Sequence, residues 1–293
     1  MTLRIGTSGW AYASWRGPFY PAGLPHRLEL THAAQTFSSL EINASFYRLQ
    51  SPRTYDRWSA ESPDDFVFAV KGSRYITHMR RLRNVEMALA NFYASGVLGL
   101  GAKLGPFVWQ LPPRLAYDPA LMDDFLQQLP RDTAAAAQLA AHAERGDTPD
   151  HQALDLQPLR HALEVRHESF LTEECVAQLR RHGVALVVAD ATGLFPLVEQ
   201  ATADFMYVRL HGAQALYSSG YTAEELDVWA GRIRAWQAGE RSGTLPTITP
   251  GPPSGPQDVY VYFDNDIGAH APADALALKT LLEGTPDHSS SGS

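Results

Sequence analysis

The chain has 293 residues, of which 45% are apolar and 19% are charged, and its formal net charge is −8. This balance is normal for a globular protein, and a chain of this length buries enough surface to fold without a disulfide or a metal. The negative charge argues against a protein that coats nucleic acid through nonspecific contacts, but it leaves room for a local basic site.

The only cysteine is Cys175, so an internal disulfide is excluded. We interpret Cys175 as a small buried hydrophobic residue in a helix. The N-terminal stretch MTLRIGTSGW lacks the basic start and apolar core of a signal peptide. No apolar run approaches the roughly 18 residues of a membrane span. We therefore expect a cytoplasmic protein without a membrane partner, and its oligomeric state is left open.

Eight short runs of apolar and β-branched residues predict eight strands. Several of these runs are apolar on successive residues, which is typical of strands covered on both faces. The predicted strands are 3–8, 39–46, 65–72, 105–112, 161–167, 184–190, 205–212 and 258–266.

Helical stretches lie between these strands, and several carry start signals. Ser51 suits a helix cap and Pro52 the first helical position. Thr222 and Glu225 have the spacing of a capping box, and Pro272 opens the last helix. An Ala-rich stretch within 131–158 predicts an extra helix before the fifth strand. The other predicted helices are 27–37, one from 52, 84–95, 119–129, 172–182, 223–238 and one from 272.

The alternation of strands and helices predicts parallel βαβ units, and eight right-handed units close into a barrel. We therefore predict an α/β fold, a single parallel (β/α)8 TIM-like barrel that forms one domain over residues 1–285. The Gly- and Pro-rich stretch 239–257 is expected to form a flexible loop at the bottom of the barrel. Residues 286–293 are expected to be a disordered tail.

The active site of such a barrel lies where the strands end and the βα loops begin. Every predicted strand ends in polar, charged or aromatic residues, and burying so many charges is costly unless they are paired or used. The expected catalytic residues are Glu41, Lys71, Glu164, Asp190 and His211. The expected substrate-binding residues are Thr7, Trp10, Asn43, Tyr47, Arg48, Gln110, Arg166, His167, Tyr207, Arg209, Asn265 and Asp266.

Side-chain alternation along a strand puts Glu164 on one face with Arg166, and Arg209 on one face with His211. Two interpretations of these charges are open. In one, Glu41 and Glu164 neutralise the two arginines in internal ion pairs. In the other, the arginines offer forked donors to a phosphate or carboxylate while a carboxylate transfers protons.

Lys71 ends an apolar strand and begins a basic stretch that runs to Arg83. Lys71 is either an ion-paired lysine or, in a desolvated site, a base or a former of a Schiff base. The basic stretch is either a solvated face or a surface that steers anions into the pocket. The aromatic residues of the first two loops either pack those loops or form a stacking wall for a ring.

The sequence contains no GxGxxG, P-loop or GxSxG motif, and we expect no required cofactor. A divalent metal is the one candidate. Glu41, Glu164, Asp190 and His211 would suit Mg²⁺, Mn²⁺ or Zn²⁺. However, there is no HxH, HExxH or cysteine pair, and nearby arginines compete for the carboxylates.

Eight motifs, in order from residue 3 to about 283, resemble one known family, the YecE-like family or domain of unknown function seventy-two. They are GTSGWAYASWRGPFYP (6–21), EINASFYR (41–48), FVFAVKGSRYITHMRRL (66–82), WQLPP (109–113), ALEVRHESF (162–170), VVAD (187–190), YVRLHG (207–212) and VYVYFDNDIGAHAP (259–272).

The resemblance implies a β/α barrel related to the TIM barrel and no settled activity. It also implies a likeness to the barrels of metal-dependent endonucleases and sugar isomerases, from which a role on nucleic acid is suggested by analogy. This chain departs from the family at Asp264, where asparagine is usual, and residues 239–257 look like an insertion.

We expect an enzyme-like pocket for an anionic substrate, phosphorylated or derived from nucleic acid, and we favour hydrolysis of a phosphate ester. One alternative is a non-catalytic protein that binds or senses a nucleotide or RNA. Another is a sugar-phosphate isomerase or lyase. In the favoured hypothesis the roles are anion binding by Arg166, Arg209 and Lys71, base catalysis by Glu164 or Glu41, and acid catalysis or metal binding by His211 or Asp190.

Overall fold

The structure is a computed structural model that describes residues 1–144, 155–250 and 255–284. The predicted tail at 286–293 and residues 251–254 of the predicted loop lie outside the described residues. The strands within the described ranges are β1 (Leu3–Thr7), β2 (Ser39–Ile42), β3 (Val67–Lys71), β4 (Leu104–Gln110), β5 (His161–Glu164), β6 (Val184–Leu186), β7 (Val188–Asp190), β8 (Phe205–Leu210) and β9 (Asp258–Phe263).

The strands form two parallel sheets, which confirms the predicted α/β class. One sheet has the order β1-β9-β8-β7 and the other the order β2-β3-β4-β5-β6. A single parallel bridge joins Ser8 to Glu41 just beyond β1 and within β2. At the other side, Val187 alone separates β6 from β7. Each of the eight runs predicted as a strand overlaps at least one observed strand.

The close approach of β1 to β2 depends on a residue without a side chain. A Cβ atom on Gly6 would lie only 1.7 Å from the carbonyl oxygen of Ser39. Next to it, the backbone N–H of Ile5 donates to the hydroxyl of Ser38 at 3.1 Å. Only glycine fits at residue 6, because the neighbouring backbone occupies the space that a side chain would need.

The helices include the extra helix that was predicted before the fifth strand, which is α6. Asp118, Asp132 and Thr222 cap α5, α6 and α8 through their side chains, and Thr222 completes the predicted capping box with Glu225. The bounds are α1 (Glu29–Thr36), α2 (Ala44–Tyr47), α3 (Pro52–Ala60), α4 (Glu86–Ala94), α5 (Pro119–Gln128), α6 (Thr133–Ala140), α7 (Glu173–Arg181), α8 (Ala223–Gln237) and α9 (His270–Glu283).

The connection from β7 to β8, residues 191–204, contains no helix, which departs from strict alternation. Part of the Gly- and Pro-rich stretch packs against it instead. The backbone N–H of Ser242 donates to Glu199 at 2.9 Å. The side-chain oxygen of Gln200 accepts from the N–H groups of Ile248 and Thr249, each at 2.9 Å. The described part of the predicted loop is therefore hydrogen-bonded, and its flexibility stays a prediction.

Two apolar clusters follow from the alternation of side chains along the strands. The larger cluster packs the helices against the sheets and includes Ile5, Leu40 and Val70. The smaller cluster lies on the opposite face of the strands, which we call the inner face. Its buried members are Ala69, Val108, Ala162, Ala185, Val187, Ala189, Phe205, Tyr207, Tyr260 and Tyr262.

Candidate functional site

Polar side chains continue the inner face at the carboxyl ends of the strands. Because the side-chain period of a strand is two, a residue two positions after an inner apolar residue lies on the same face. We call seven of these side chains the polar layer, and all seven are buried. They are Ser8, Glu41, Lys71, Gln110, Glu164, Arg209 and Asp264.

Arg209 is the centre of the polar layer, and its side chain is fully buried. Its Nη2 atom donates to Glu41 Oε1 and to Asp264 Oδ2, both at 2.8 Å. Its Nη1 atom donates to Glu164 Oε2 at 2.6 Å. Burial alone would lower the pKa of this guanidinium, but the three carboxylates raise the pKa well above its usual range. Arg209 is therefore permanently charged and bound on several sides.

Glu164 is shared between two arginines. Its Oε1 atom accepts from Arg166 Nε at 2.7 Å, while its Oε2 atom is bound to Arg209. Burial alone would raise the pKa of Glu164, but the charges of Arg166 and Arg209 hold the pKa well below its usual range. The Arg166 guanidinium also lies 4.3 Å from the centre of the Phe195 ring. Glu164 is thus an ionised carboxylate with both oxygens occupied.

Lys71 differs from the arginines, because none of the carboxylates among the residues that the structure describes lies within ion-pair distance of its ammonium group. The Nζ atom lies 4.5 Å from the centre of the Phe46 ring. Burial, followed by the charge of Arg209, lowers the pKa of Lys71 to about 8. Lys71 therefore exchanges its proton close to neutral pH, as lysines in desolvated sites do.

Lys71 belongs to a group of four basic side chains, Lys71, Arg74, His78 and Arg166, which we call the cation cluster. The His78 ring packs edge-on against Phe46, with 5.2 Å between the ring centres. Burial and the charges of Arg166, Lys71 and Arg74 lower the pKa of His78 to about 4. The carboxylates that act on Lys71 are those already bound to Arg209. Positive charge is therefore crowded at this end of β3.

Two aspartates at the end of β9 have pKa values displaced in opposite directions. Burial alone would raise the pKa of Asp264, but the charge of Arg209 and the neighbouring His211 lower it. The Nδ1 atom of His211 lies 3.0 Å from Asp264 Oδ2. Burial and the charge of Asp264 raise the pKa of Asp266 to about 8. Near neutral pH one carboxyl group is ionised and the other protonated, which is the usual arrangement of an acid and base pair.

Most of the residues expected to be catalytic converge on the polar layer or its edge, namely Glu41, Lys71, Glu164 and His211. Three of the residues expected to bind substrate also lie at the polar layer, namely Gln110, Arg166 and Arg209. Tyr207 lies beneath the layer, and its hydroxyl donates to Glu41 Oε2 at 2.7 Å.

Asp190 and Thr7 point away from this centre. Asp190 lies on the same face of its strand as Val188, opposite the inner residue Ala189. Its carboxylate accepts from the hydroxyl of Tyr221 at 3.1 Å. Burial raises the pKa of Asp190. Thr7 lies on the outer face with Ile5, and its hydroxyl donates to the carbonyl oxygen of Gly9 at 2.8 Å.

His167 and Asn265 have local structural partners. The side chain of His167 accepts from the N–H of Ser169 and caps the short helix that follows. The amide of Asn265 donates to Asp274 Oδ2 at 2.8 Å, which ties the end of β9 to α9. Neither side chain contacts the polar layer through a hydrogen bond among the residues that the structure describes.

Two cavities are lined by the remaining expected residues, which are Trp10, Asn43, Tyr47 and Arg48. The first cavity, of about 510 Å³, includes Trp10, Asn43 and Trp58, and we call it the tryptophan cavity. The second, of about 730 Å³, includes Arg48, and we call it the basic cavity. Tyr47 lines both. The further residues of the basic cavity are Leu49, Ser73, Arg74, Tyr75, Ile76, Met79, Arg80, Asn84, Met87, Ala88, Asn91 and Glu144.

Two members of the polar layer, Ser8 and Asp264, were not among the expected site residues. The Ser8 hydroxyl donates to Glu41 Oε1 and accepts from Asn43 Nδ2 at 2.8 Å. Alternation carried the signal for both, because Ser8 follows Gly6 by two residues and Asp264 follows the inner Tyr262 by two.

The carboxylates of the polar layer face an arginine and do not converge on a site for a metal ion. Within residues 1–144, 155–250 and 255–284, no group of three or more His, Cys, Asp or Glu residues has a geometry that could hold a metal ion. Glu41, Glu164 and Asp264 are directed at Arg209, and Asp190 faces away from them. Separately, none of the described helices has the length and apolar character needed to cross a membrane.

Nearly the whole chain is similar to known proteins of one family. The family model described as Protein of unknown function DUF72 matches residues 4–291. The UPF0759 protein YunF of Bacillus subtilis is 23% identical over 310 aligned positions, which cover 96% of this chain and 95% of YunF. The UPF0759 protein YecE of Escherichia coli is 30% identical over 110 positions, which cover 38% of each chain.

Solved structures of similar proteins share the fold. A DUF72 family protein of Thermotoga maritima has a TM-score of 0.72 and 24% identity, with 97% of this chain and 100% of that chain covered. A DUF72 family protein of Enterococcus faecalis has a TM-score of 0.69 and 15% identity, with coverage of 98% and 97%. The resemblance inferred from the sequence motifs is confirmed, and the chain belongs to the DUF72 family.

Proposed function

We propose that this protein is an enzyme that hydrolyses a phosphate ester, and that Lys71 and Arg166 bind the phosphate at the carboxyl ends of β3 and β5. The crowding of positive charge in the cation cluster carries the proposal. Neighbouring cations contribute to the lowered pKa of both Lys71 and His78. A bound anion would relieve this repulsion and would favour the charged forms of both side chains.

Burial divides the site into groups that a substrate would touch and groups that position them. Lys71 is 7% exposed, and the side chains of Arg166 and Asp264 are 8% and 9% exposed. In contrast, the side chains of Arg209 and Glu164 are fully buried. We assign contact with the phosphate to Lys71 and Arg166. Arg209 would then act as a positioning residue that fixes the carboxylates beneath them.

The chemistry requires one water molecule. Its oxygen attacks phosphorus, the bond between phosphorus and the ester oxygen breaks, and the departing oxygen takes the proton of Asp266. The carboxylate of Asp264 accepts the proton that the water loses, and a weak base suffices because phosphoryl transfer passes through a loose transition state. Lys71 and Arg166 would stabilise the charge on the phosphate oxygens, which is the usual contribution of fixed cations.

We further infer that the two sheets form one eight-stranded (β/α)8 barrel in which β6 and β7 are halves of one strand. The bridge between Ser8 and Glu41 supports this, as does the interruption of β6 and β7 by a single residue, Val187. The polar layer would then be the uppermost layer of the barrel interior, where active sites of such barrels lie. A cytoplasmic location is part of the proposal, since the lone Cys175 forms no internal disulfide.

The chain has three lysines, Lys71, Lys103 and Lys279, which makes a direct test practical. Reductive methylation with ¹³C gives each lysine its own NMR signal, and the titration of each signal reports its pKa. We expect saturating inorganic phosphate to raise the pKa of Lys71 and to leave Lys103 and Lys279 unchanged. An unchanged pKa of Lys71 would overturn the proposed phosphate site.

Hydrolysis is tested with p-nitrophenyl phosphate and bis(p-nitrophenyl) phosphate. We expect Lys71→Met to lower kcat/KM by about 100-fold or more, which is the usual effect of removing one transition-state charge contact. Lys279→Met, on α9, is the matched control and should keep the wild-type rate. Equal rates for the wild type and Lys71→Met would contradict the assignment.

A second candidate function is non-catalytic binding of a nucleotide. The binding of Glu41 and Glu164 to Arg209 favours it, because neither carboxylate is free to act as a base. A nucleotide that raises the pKa of Lys71 and is recovered unaltered after long incubation would support this function over hydrolysis.

A further inference from the structure

We propose that the basic cavity binds single-stranded nucleic acid, so that the phosphate ester held by Lys71 is one linkage of that strand. This inference rests on the proposed function and names the substrate class of the same site. Three features of the basic cavity carry it: unpaired arginines, exposed tyrosines, and a constrained backbone that presents them.

Three arginines of the basic cavity carry charges that no carboxylate among the described residues neutralises. Arg48 and Arg74 are exposed, and neither forms an ion pair with a residue that the structure describes. Arg80 donates its Nε hydrogen to the carbonyl oxygen of Arg83 at 3.2 Å, and no carboxylate in the described ranges pairs with its charge. Glu144 is the one carboxylate among the described residues that line the cavity. A net positive lining of this kind binds a chain of phosphates.

Two tyrosines offer flat rings to the same space. Tyr47 is 69% exposed and Tyr75 is 47% exposed, which is a high exposure for large rings. Phe46 supports Tyr47 from below, with 5.1 Å between the ring centres at a nearly perpendicular angle. Stacking of bases on exposed aromatic rings beside arginines is the usual mode of recognition of single strands. A duplex would not expose its bases for such stacking.

The backbone around the cavity is held in rare conformations. Tyr75–Met79 forms a single π-helical turn, a geometry often found at functional sites. Just after it, Arg81, Leu82 and Asn84 have φ angles of 51°, 66° and 51°. Such left-handed residues cost stability and persist where the surrounding structure fixes them. Tyr75, at the start of this turn, lines the cavity.

The basic cavity and the cation cluster share one residue. Arg74 belongs to both, and it follows Lys71 by three residues along the chain. The Phe46 ring contacts Tyr47 on one side and the Lys71 ammonium on another. Tyr47 also lines the tryptophan cavity, so a strand could extend across it in the other direction. A strand stacked on Tyr47 would therefore have a phosphate within reach of Lys71.

Binding is tested by fluorescence anisotropy with a labelled single-stranded RNA, a single-stranded DNA and the matching duplex, over a range of salt concentrations. We expect the single strands to bind more tightly than the duplex. Each phosphate contact adds about 0.7 to the slope of log affinity against log salt for single strands. Arg48→Gln should therefore reduce that slope by about 0.7, and the exposed Arg180→Gln on α7 should leave it unchanged.

Stacking is tested separately at Tyr47. Tyr47→Ala should weaken single-strand binding by roughly fivefold to a hundredfold, while Tyr47→Phe should keep the wild-type affinity because the ring remains. Equal affinity for duplex and single strands, or no loss in Tyr47→Ala, would overturn the inference.

The two proposals fail in different ways. If inorganic phosphate raises the pKa of Lys71 but no oligonucleotide binds, the strand-binding inference is wrong and the phosphate site stands. If single strands bind through Tyr47 but phosphate leaves the pKa of Lys71 unchanged, the phosphate site is wrong and strand binding stands.

Discussion

Arg209 on β8 and Glu41 on β2 form a two-pronged ion pair, with Nε 3.1 Å from Glu41 Oε2 and Nη2 2.8 Å from Glu41 Oε1. The two strands belong to different sheets, so this pair joins the sheets through side chains. Arg209 makes a second such connection to Glu164 on β5. The centre of the polar layer is therefore also a structural junction.

Replacing Arg209 should destabilise the fold strongly. Arg209→Met leaves Glu41 and Asp264 buried without their arginine and leaves Glu164 with Arg166 alone. We expect a loss of about 3–5 kcal/mol in the free energy of unfolding. Urea unfolding at pH 7 measures this loss. Arg180→Met is the surface control and should change stability by less than about 0.5 kcal/mol. A loss below about 1 kcal/mol in Arg209→Met would contradict the role of Arg209 as a junction. If that variant does not fold, Arg209→Lys, which keeps one charge, should be partly destabilised.

Lys71→Met should stabilise the protein at neutral pH. The pKa of Lys71 in the folded state is about 8, below the value of about 10.4 in an unfolded chain. The folded state therefore binds fewer protons between these two values, and wild-type stability rises with pH across that window. At pH 7 the variant should be more stable by up to about 3 kcal/mol, less the loss of the contact with Phe46.

Thermal unfolding of Lys71→Met and wild type between pH 6 and pH 11 checks this prediction. The stability difference should shrink as the pH rises through the window, and Lys279→Met should show no such trend. A variant less stable than wild type at pH 7 would show that the Lys71 charge is well compensated in the folded state.

Asp266→Asn should flatten the pH dependence of stability between about pH 4 and pH 8. The pKa of Asp266 is raised to about 8, against about 3.9 in an unfolded chain. The stability that comes from protonation of Asp266 is fully present below pH 4 and is lost as the pH rises through its pKa in the folded state. Asparagine mimics the protonated form, so the stability of the variant relative to wild type should increase as the pH rises. Thermal unfolding over this range is the measurement, with the exposed Asp227→Asn on α8 as control. Parallel curves for wild type and Asp266→Asn would contradict the raised pKa.

Two glycines, Gly6 in β1 and Gly231 in α8, should respond in opposite ways to replacement by alanine. Gly6→Ala would place a methyl group 1.7 Å from Ser39 O, so the strands must separate and the variant should be strongly destabilised or fail to fold. A methyl group on Gly231 of α8 would meet no neighbouring atom within 4 Å. Gly231→Ala should therefore stabilise by about 0.5–1 kcal/mol, because alanine favours the helix. Chemical unfolding of both variants tests the pair, and a stable Gly6→Ala protein would contradict the close packing.

Side-chain alternation was enough to predict much of the polar layer. Runs such as HALEVRH show which residues share a face, so Glu164 and Arg166 were correctly placed together. The same rule places Asp190 with Val188 on the outer face, and Asp190 was selected because it ends a strand rather than because of its face. The alternation rule also points to Ser8 and Asp264, which were not among the expected site residues. The strand positions themselves were predictable, since each is a compact apolar run.

Other features could not be predicted from one sequence. The pairing of Arg209 with carboxylates from three other strands depends on how the strands align across two sheets. The lack of a carboxylate partner for Lys71 among the described residues follows from that pairing, because Arg209 has already bound the nearby carboxylates. The packing of residues 239–250 against the connection at 191–204 could not be predicted either, since the two segments lie far apart along the chain.

The sharing of Arg209 among three carboxylates constrains how this protein can evolve. The three carboxylates outnumber Arg209, and the charges of Arg166 and Lys71 complete the balance. A mutation that removes one of these charges should therefore survive chiefly together with a second, compensating change. Among relatives, a neutral residue at the position of Asp264 should therefore accompany a change at another of these charged positions. A lineage that lost one carboxylate without such a change would keep more positive charge beside Lys71.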